Sequence, residues 1–272
     1  MKRRTFVQFA VSASGIVILD PTQLLAKKPN EDSMKVTMIY NNIGESDVLE
    51  SAWGLSIWVE DKKEAILFDT GGDAKIIMEN LGKAKVDFNK LSKIVISHNH
   101  WDHKNGLAKV LEITNNKPEV YVADHEAQNF KDEYPNAKIK GVRQIQKLTS
   151  NISTTAQLVD LTGQNKIYEL SLVVHHNDSL YLITGCSHSG IVEMVEHVKE
   201  TYPNENIELV TGGFHLRSKP EVEVKKISRK LKELGVLNLA ASHCTGDQAI
   251  VLFKKDWGEH FIDFNLGDIR DI

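Results

Sequence analysis

The stretch "SHNHWDH", residues 97–103, places three histidines and an aspartate in seven positions, directly after the apolar run Lys93-Ile94-Val95-Ile96. In an extended segment alternate side chains share a face, so His98 and His100 can converge on one point while the adjacent Asp102 and His103 turn toward another. Neutral imidazole and carboxylate are ligands for zinc, iron or manganese, and two clusters this close suit a pair of ions about 3.5 to 4 Å apart. One histidine beside a strand is usually a satisfied polar residue. Four ligand-type residues in this order are better explained by metal. Further ligands must come from other strand ends, where "GCSHSG" offers His188, "GGFHL" offers His215 and "SHCTG" offers His243. His125, His175, His176, His197 and His260 read as structural or solvent-exposed.

Outward from this stretch, strand-like and helix-like segments alternate from Lys35 onward without a Pro-, Gly- or Ser-rich linker, which reads as one domain over 35–272. "GLSIWVE" and "AILFDTG" form a hairpin across "DKKE". "DAKIIMENLGK" reads as a helix capped by Asp73 and ended by Gly82. "KIVIS", "NGLAKVLEI" and "EVYVA" surround the histidine stretch as strand, helix and strand. Residues 124 to 165 are polar and poorly periodic and read as loops with a short helix. In the second half, "LSLVVHH" and "SLYLITG" pair around Asn177-Asp178. Ile191, Met194, Val195 and Val198 share one helical face, and Val224, Ile227, Leu231 and Leu234 form a second stripe between Pro220 and Gly235. "HFIDFNL" reads as the closing strand. Two such sets predict an α/β fold, with two sheets packed face to face and helices on the outer faces.

The first 26 residues differ from the rest. Lys2, Arg3 and Arg4 precede a mostly apolar stretch from Phe6 to Leu19, too short for an ordinary transmembrane helix. The paired arginines resemble a twin-arginine export signal, which implies the twin-arginine translocation machinery as a partner and a periplasmic or otherwise exported location. An uncleaved signal anchoring the chain to the membrane is the alternative, and residues 27–34 read as a linker. The formal net charge of −4 provides no basic field of the kind nucleic acid requires. The partner left is a small-molecule substrate. Cys186 and Cys244, the two cysteines, could pair as a disulfide in an exported protein, but each stands within two residues of a histidine.

"SHNHWDH" matches the HxHxDH signature of the metallo-β-lactamase superfamily, whose αββα sandwich of two mixed sheets agrees with the two-sheet reading. With "WGLSIWVE", "ILFDTGG", "GCSHSGI", "GGFHL" and "HCTG", the chain resembles the branch named for 7,8-dihydropterin-6-methyl-4-(β-D-ribofuranosyl)aminobenzene-5'-phosphate synthase. The resemblance implies that His98 and His100 hold a first metal and Asp102 and His103 a second, with His188 and His243 completing the set. Zinc is the expected ion, one or two per chain, with iron or manganese as alternatives. Many members carry Gly-Asp where this chain has Gly185-Cys186. Class B β-lactamases carry cysteine there, so Cys186 is either a thiolate ligand or a small residue in the turn that aims His188. Asp69 is expected to orient a metal-bound histidine from behind, and Trp53 to serve as wall or core.

A divalent metal lowers the pKa of bound water toward roughly 7 and polarises a carbonyl or phosphoryl oxygen. Asp102 is expected to orient the resulting metal-bound hydroxide. His215, with Arg217 two residues on, either meets an anionic substrate and the developing oxyanion or packs as a loop residue. Three functions follow: a metal-dependent hydrolase or group transferase acting on a small ester, phosphate or lactam-like substrate; an iron-dependent oxidoreductase; or a metal- or ligand-binding protein without turnover.

Overall fold

The computed structural model describes residues 33–162 and 165–272. The export signal expected over residues 1–26 lies outside the described residues, as does the expected linker apart from Ser33 and Met34. Met34 is buried, and its backbone exchanges hydrogen bonds of 2.9 and 2.8 Å with Ile272.

Strands β1 (Lys35–Asn41), β2 (Leu55–Glu60) and β3 (Ala65–Phe68) run antiparallel in sequence order. Helix α1 (Ala74–Lys83) starts at Asp73, whose carboxylate accepts from the Lys75 and Ile76 N–H groups at 2.8 and 3.0 Å. Then come β4 (Leu91–Val95), the short α2 (Trp101–Lys104), α3 (Leu107–Ile113), β5 (Glu119–Ala123), α4 (Ala127–Glu133) and β6 (Lys138–Val142). The second half begins with β7 (Ile152–Thr154), β8 (Leu158–Asp160) and β9 (Ile167–Glu169). β10 (Leu172–His176) and β11 (Ser179–Thr184) form a hairpin whose turn residues Asn177 and Asp178 both have positive φ, as a type I′ turn requires. α5 (Ile191–Thr201), β12 (Asn206–Gly213), α6 (Glu221–Glu233), β13 (Val236–Ser242), α7 (Asp247–Trp257) and β14 (Ile269–Asp271) complete the chain.

One mixed sheet has the order β14-β1-β2-β3-β4-β5-β6, a second β13-β12-β11-β10-β7, and β8 pairs with β9. Strand alternation assigns the faces. Leu55, Ile57 and Val59 of β2 meet Leu172 and Val174 of β10 and Ile183 of β11 in the core between the sheets. The opposite face of the second sheet, with Val173, Leu180 and Leu182, packs under α5, α6 and α7. The outer face of the first, with Trp58, Leu67 and Ile94, packs under α1, α3 and α4. Each fully buried aliphatic in these layers contributes roughly 1.5–3 kcal/mol. The result is an αββα sandwich.

Three sequence expectations are corrected. Gly82 does not end α1: the helix continues through Lys83, and the backbone turns at Lys85 with a φ of 57°. "HFIDFNL" is not a strand. Phe261 makes a single bridge beside Leu239, while Phe264 and Leu266 are buried plugs, so their apolar spacing reports anchoring rather than a ladder. Gly267, at a φ of 87°, then leads into β14, which pairs with β1. Residues 124 to 165 hold α4 but also β6, β7 and β8, strands of three to five residues whose polar sequences, such as "KIKGV", carry little alternation.

β3 and β4 run parallel, as do β11, β12 and β13. Their C-terminal ends therefore bring Asp69, the "SHNHWDH" turn, "GCSH", "GGFH" and "SHC" to one edge of the sandwich.

Candidate metal centre

Imidazoles 98, 100 and 188 come together, the ligating atoms of all three lying within 4.8 Å of one another. His98 Nε2 and His100 Nδ1 are 3.0 Å apart. Asp102, His103 and His243 form a neighbouring set with the same limit; Asp102 Oδ2 lies 3.8 Å from His103 Nε2 and 3.5 Å from His243 Nε2. Four ligands at ~2.0–2.1 Å around a tetrahedral ion stand ~3.4 Å from each other, so donors spaced at 3.0 to 3.8 Å fit ions of this size. Nε2 of His188 and Nε2 of His243 are buried with no hydrogen-bond partner among the described residues. Orphaned imidazole nitrogens facing other donors are what a metal site needs and what a packed core avoids.

The supporting bonds fix the tautomers. Asp69, fully buried, accepts from the Ser97 N–H at 2.6 Å with Oδ1, and from Ser97 Oγ–H at 2.8 Å and His103 Nδ1–H at 2.6 Å with Oδ2. The Ser97 hydroxyl, having given its proton to Asp69, accepts from His98 Nδ1–H at 2.9 Å. Asn42 Oδ1 takes the Nδ1 proton of His243 at 2.7 Å. In each case Nε2 is left unprotonated and available to a metal.

Burial and neighbouring imidazoles hold His98 well below the ordinary histidine range, and the same causes lower His188 to about 3. Burial also pulls on His103, but the Asp69 carboxylate outweighs it and leaves this imidazole raised. Burial would raise Asp102, yet the imidazoles of His243 and His103 beside it bring it well below the usual carboxylate range. Both cysteines are buried free thiols, so the sequence alternative of a disulfide is not what the structure contains. Cys186 Sγ sits 3.2 Å from His103 Nε2, between the two ligand sets, and burial pushes its thiol up.

His215 is exposed, its ring 4.3 Å from that of His188, and the two line a cleft of about 860 Å³ between α5 and α6 with Asp160, Lys219 and Lys226. The neighbouring Cys244 sulfur raises the His215 pKa. Arg217 does not join it; its guanidinium lies 5.3 Å from the centre of the Trp53 ring. Among the histidines set aside on sequence, His175 meets Glu205 and His125 stacks on Tyr168, and neither joins the clustered donors.

Sequence reasoning missed three groups, the first being Asn42, which holds His243 Nδ1. Trp53 is wall, as expected, but its Nε1–H also donates to Asp102 Oδ2 at 2.8 Å. Glu169, at the end of β9, is buried with Oε1 unpartnered and 3.7 Å from His98 Nδ1, while Oε2 accepts from the Ser189 N–H at 3.3 Å. Burial pushes its carboxyl up to about 8. The only sequence signal was an acid leading into the apolar run "LSLVV".

The fold is an α/β sandwich with metal-type donors clustered at one edge, and the comparisons place it in a family. Residues 54–203 match the metallo-beta-lactamase superfamily, and the chain belongs to it. It is 25% identical to 7,8-dihydropterin-6-methyl-4-(beta-D-ribofuranosyl)-aminobenzene-5'-phosphate synthase of Methanocaldococcus jannaschii, across 88% of this chain and 96% of that protein. The crystal structure of Tm1679, described as a metal-dependent hydrolase of the beta-lactamase superfamily, is 27% identical with a TM-score of 0.74, covering 88% of this chain and 99% of that one. The metallo-beta-lactamase fold protein YhfI from Bacillus subtilis, at 16% identity and a TM-score of 0.65 over 89% and 100% of the two chains, shares the fold.

Proposed function

We propose that the protein is a metal-dependent hydrolase or group transferase acting on a small ester, phosphate or lactam-like substrate. His98, His100 and His188 would hold one ion, and Asp102, His103 and His243 a second, with zinc favoured. The observation that carries this reading is the pair of three-donor sets whose nitrogens at His188 and His243 have no other partner. Bound metal supplies Lewis acidity and a water acidified toward neutral pH.

The chain's own groups do the rest. Asp102, anchored by Trp53, accepts the hydrogen bond of the attacking water and aims its lone pair toward the cleft. His215, at the cleft wall and raised in basicity, donates a proton to the oxygen that gains charge or leaves. Asp69 and Ser97 keep the donor nitrogens of His103 and His98 free of protons. The named product of the archaeal relative is a phosphate ester, which puts phosphate esters first among substrates to try.

Protein stripped by chelation and reloaded with zinc, manganese or ferrous iron is to be assayed on phosphate esters, lactones and lactams. Turnover lost on stripping and restored by zinc is expected. Metal binding without turnover on any class would support the non-catalytic alternative, and iron with visible absorbance and oxygen consumption the oxidoreductase. Export remains a proposal resting on Arg3 and Arg4; a reporter fused to residues 1–40 should leave the cytoplasm only with both arginines intact. No helix among the described residues is long and apolar enough to cross a membrane.

A further inference from the structure

Cys244 holds no ion in the reading above, yet it lies against the centre. Its Sγ, the Cys186 Sγ and a ring nitrogen of His243 all lie within 4.8 Å of one another, and all three residues are buried. Among the described residues Cys244 Sγ makes a weak hydrogen bond, 3.7 Å, to the Cys186 carbonyl oxygen. His243 Nε2 has no hydrogen-bond partner among the described residues, and its side chain is fully buried.

Room for the thiol is built into the backbone. A Cβ at Gly213 would stand 2.6 Å from Cys244 Sγ and 2.5 Å from the Gly185 carbonyl oxygen, so glycine at the end of β12 lets the sulfur lie beside the "GC" turn. A thiol that only fills a core packs among aliphatic groups. Cys244 instead adjoins a second thiol and an unpartnered imidazole.

We propose that Cys186, Cys244 and His243 form a sulfur-rich locus on the second-ion side of the centre, which takes a thiophilic divalent cation with both sulfurs as ligands. Thiolates favour zinc or cadmium over magnesium or manganese. The pair would provide negative charge where many superfamily members place a bridging aspartate. On binding, two S–H bonds break, two metal–sulfur bonds form, and two protons pass to solvent. The proposal rests on the metal-binding part of the function proposed above and is independent of turnover.

Cadmium is the probe. Titrated into metal-free full-length protein, it should produce a thiolate-to-cadmium charge-transfer band in the ultraviolet that is roughly halved in Cys244→Ser, if each thiolate contributes alike. An undiminished band in a folded Cys244→Ser protein would overturn the proposal. A second measurement needs no variant. The infrared S–H stretch of the wild-type protein should vanish on saturation with cadmium, and one thiol's worth of band remaining would refute ligation by both sulfurs. Cadmium bound with the S–H band retained defeats only this proposal, whereas no bound cadmium defeats the proposed metal centre as well.

Discussion

Replacing Asp69 by asparagine exchanges one oxygen for an amide group at the point where two candidate ligands are oriented. Asp69 has a φ of 59°, in the left-handed region that asparagine tolerates as well as aspartate does, so the backbone has no reason to move. The amide has one acceptable orientation: its oxygen must stay against the Ser97 N–H, 2.6 Å away, because a donor facing a donor there would be a buried clash. The NH2 group then faces Ser97 Oγ and His103 Nδ1, which sit 2.8 and 2.6 Å from the present Oδ2. His103 Nδ1 must become an acceptor, and its remaining proton moves to Nε2. The Ser97 hydroxyl, now receiving from the amide, turns its proton toward His98 Nδ1 at 2.9 Å, so His98 also becomes the Nε2–H tautomer. Both nitrogens expected to face metal are then blocked.

Loss of such an outer partner costs roughly 10- to 100-fold in metal affinity, or about 1.4–2.7 kcal/mol per site. The variant should bind zinc more weakly by that factor at both sites, measured by competition with a chromophoric chelator. Its unfolding midpoint without metal should change far less, since the amide keeps three hydrogen bonds. Nitrogen NMR of the imidazoles reads the tautomers directly. Unchanged zinc affinities, or Nδ1–H tautomers retained at both histidines, would refute this account of Asp69.

Glu169→Gln tests the buried acid through pH. The folded state keeps its proton up to about pH 8, whereas the unfolded chain releases it in the ordinary carboxylate range, so wild-type stability falls as pH rises between the two. Metal-free Glu169→Gln should gain on the wild type when urea unfolding is moved from about pH 5 to about pH 9; a gap that does not widen contradicts the assignment. Gly185→Ala should disrupt the centre from the opposite sheet, because its Cβ would stand 2.2 Å from Ser97 Oγ and 2.5 Å from Ser97 Cβ. A loss of about 1–3 kcal/mol together with weakened zinc binding is expected from melting and titration, and a neutral substitution would mean that the two sheets are not held this tightly.

The αββα layering was legible because its evidence is periodic. β2, β10 and β11 alternate between two buried faces, and α5 and α6 each show a stripe at helical spacing. The "SHNHWDH" turn was legible because four donors sit within seven residues, and the histidines at 188, 215 and 243 stand out at strand ends. Glu169 and Asn42 could not be read in the same way. Each reaches the centre from a distant segment, and nothing in the local pattern of β9 or the end of β1 shows which histidine it will face. Trp53 was read as an apolar wall because sequence gives the ring but not the direction of its N–H. The closing strand failed for a related reason: Phe261, Phe264 and Leu266 are spaced by the pockets they fill rather than by a ladder.

Four non-glycine residues around the centre have positive φ: Asp69, Ser187, His215 and His243, at 59°, 58°, 50° and 49°. Each lies just past the end of a parallel strand, where a left-handed residue swings the chain abruptly and turns side chains toward the sandwich edge. The conformation costs roughly 1–2 kcal/mol at a residue with a Cβ, a cost expected where geometry serves a site. Ser187 allows a test, because it precedes His188 without being a candidate ligand. Ser187→Gly relieves the strain but removes the Oγ–H bond to the Gly213 carbonyl oxygen at 2.8 Å, a loss of about 1 kcal/mol. That oxygen still accepts from Thr184 Oγ1 at 3.1 Å, so it is not orphaned. The two changes nearly cancel, and the thermal midpoint of the metal-free protein should stay within a few degrees. The turn itself becomes freer, and His188 must then be ordered at the expense of binding. Zinc affinity of the His98/His100/His188 set should fall several-fold while that of the Asp102/His103/His243 set is unchanged. Equal losses at both sets would show that Ser187 supports the edge of the fold as a whole, and no loss at either would show that the left-handed turn does nothing to aim His188.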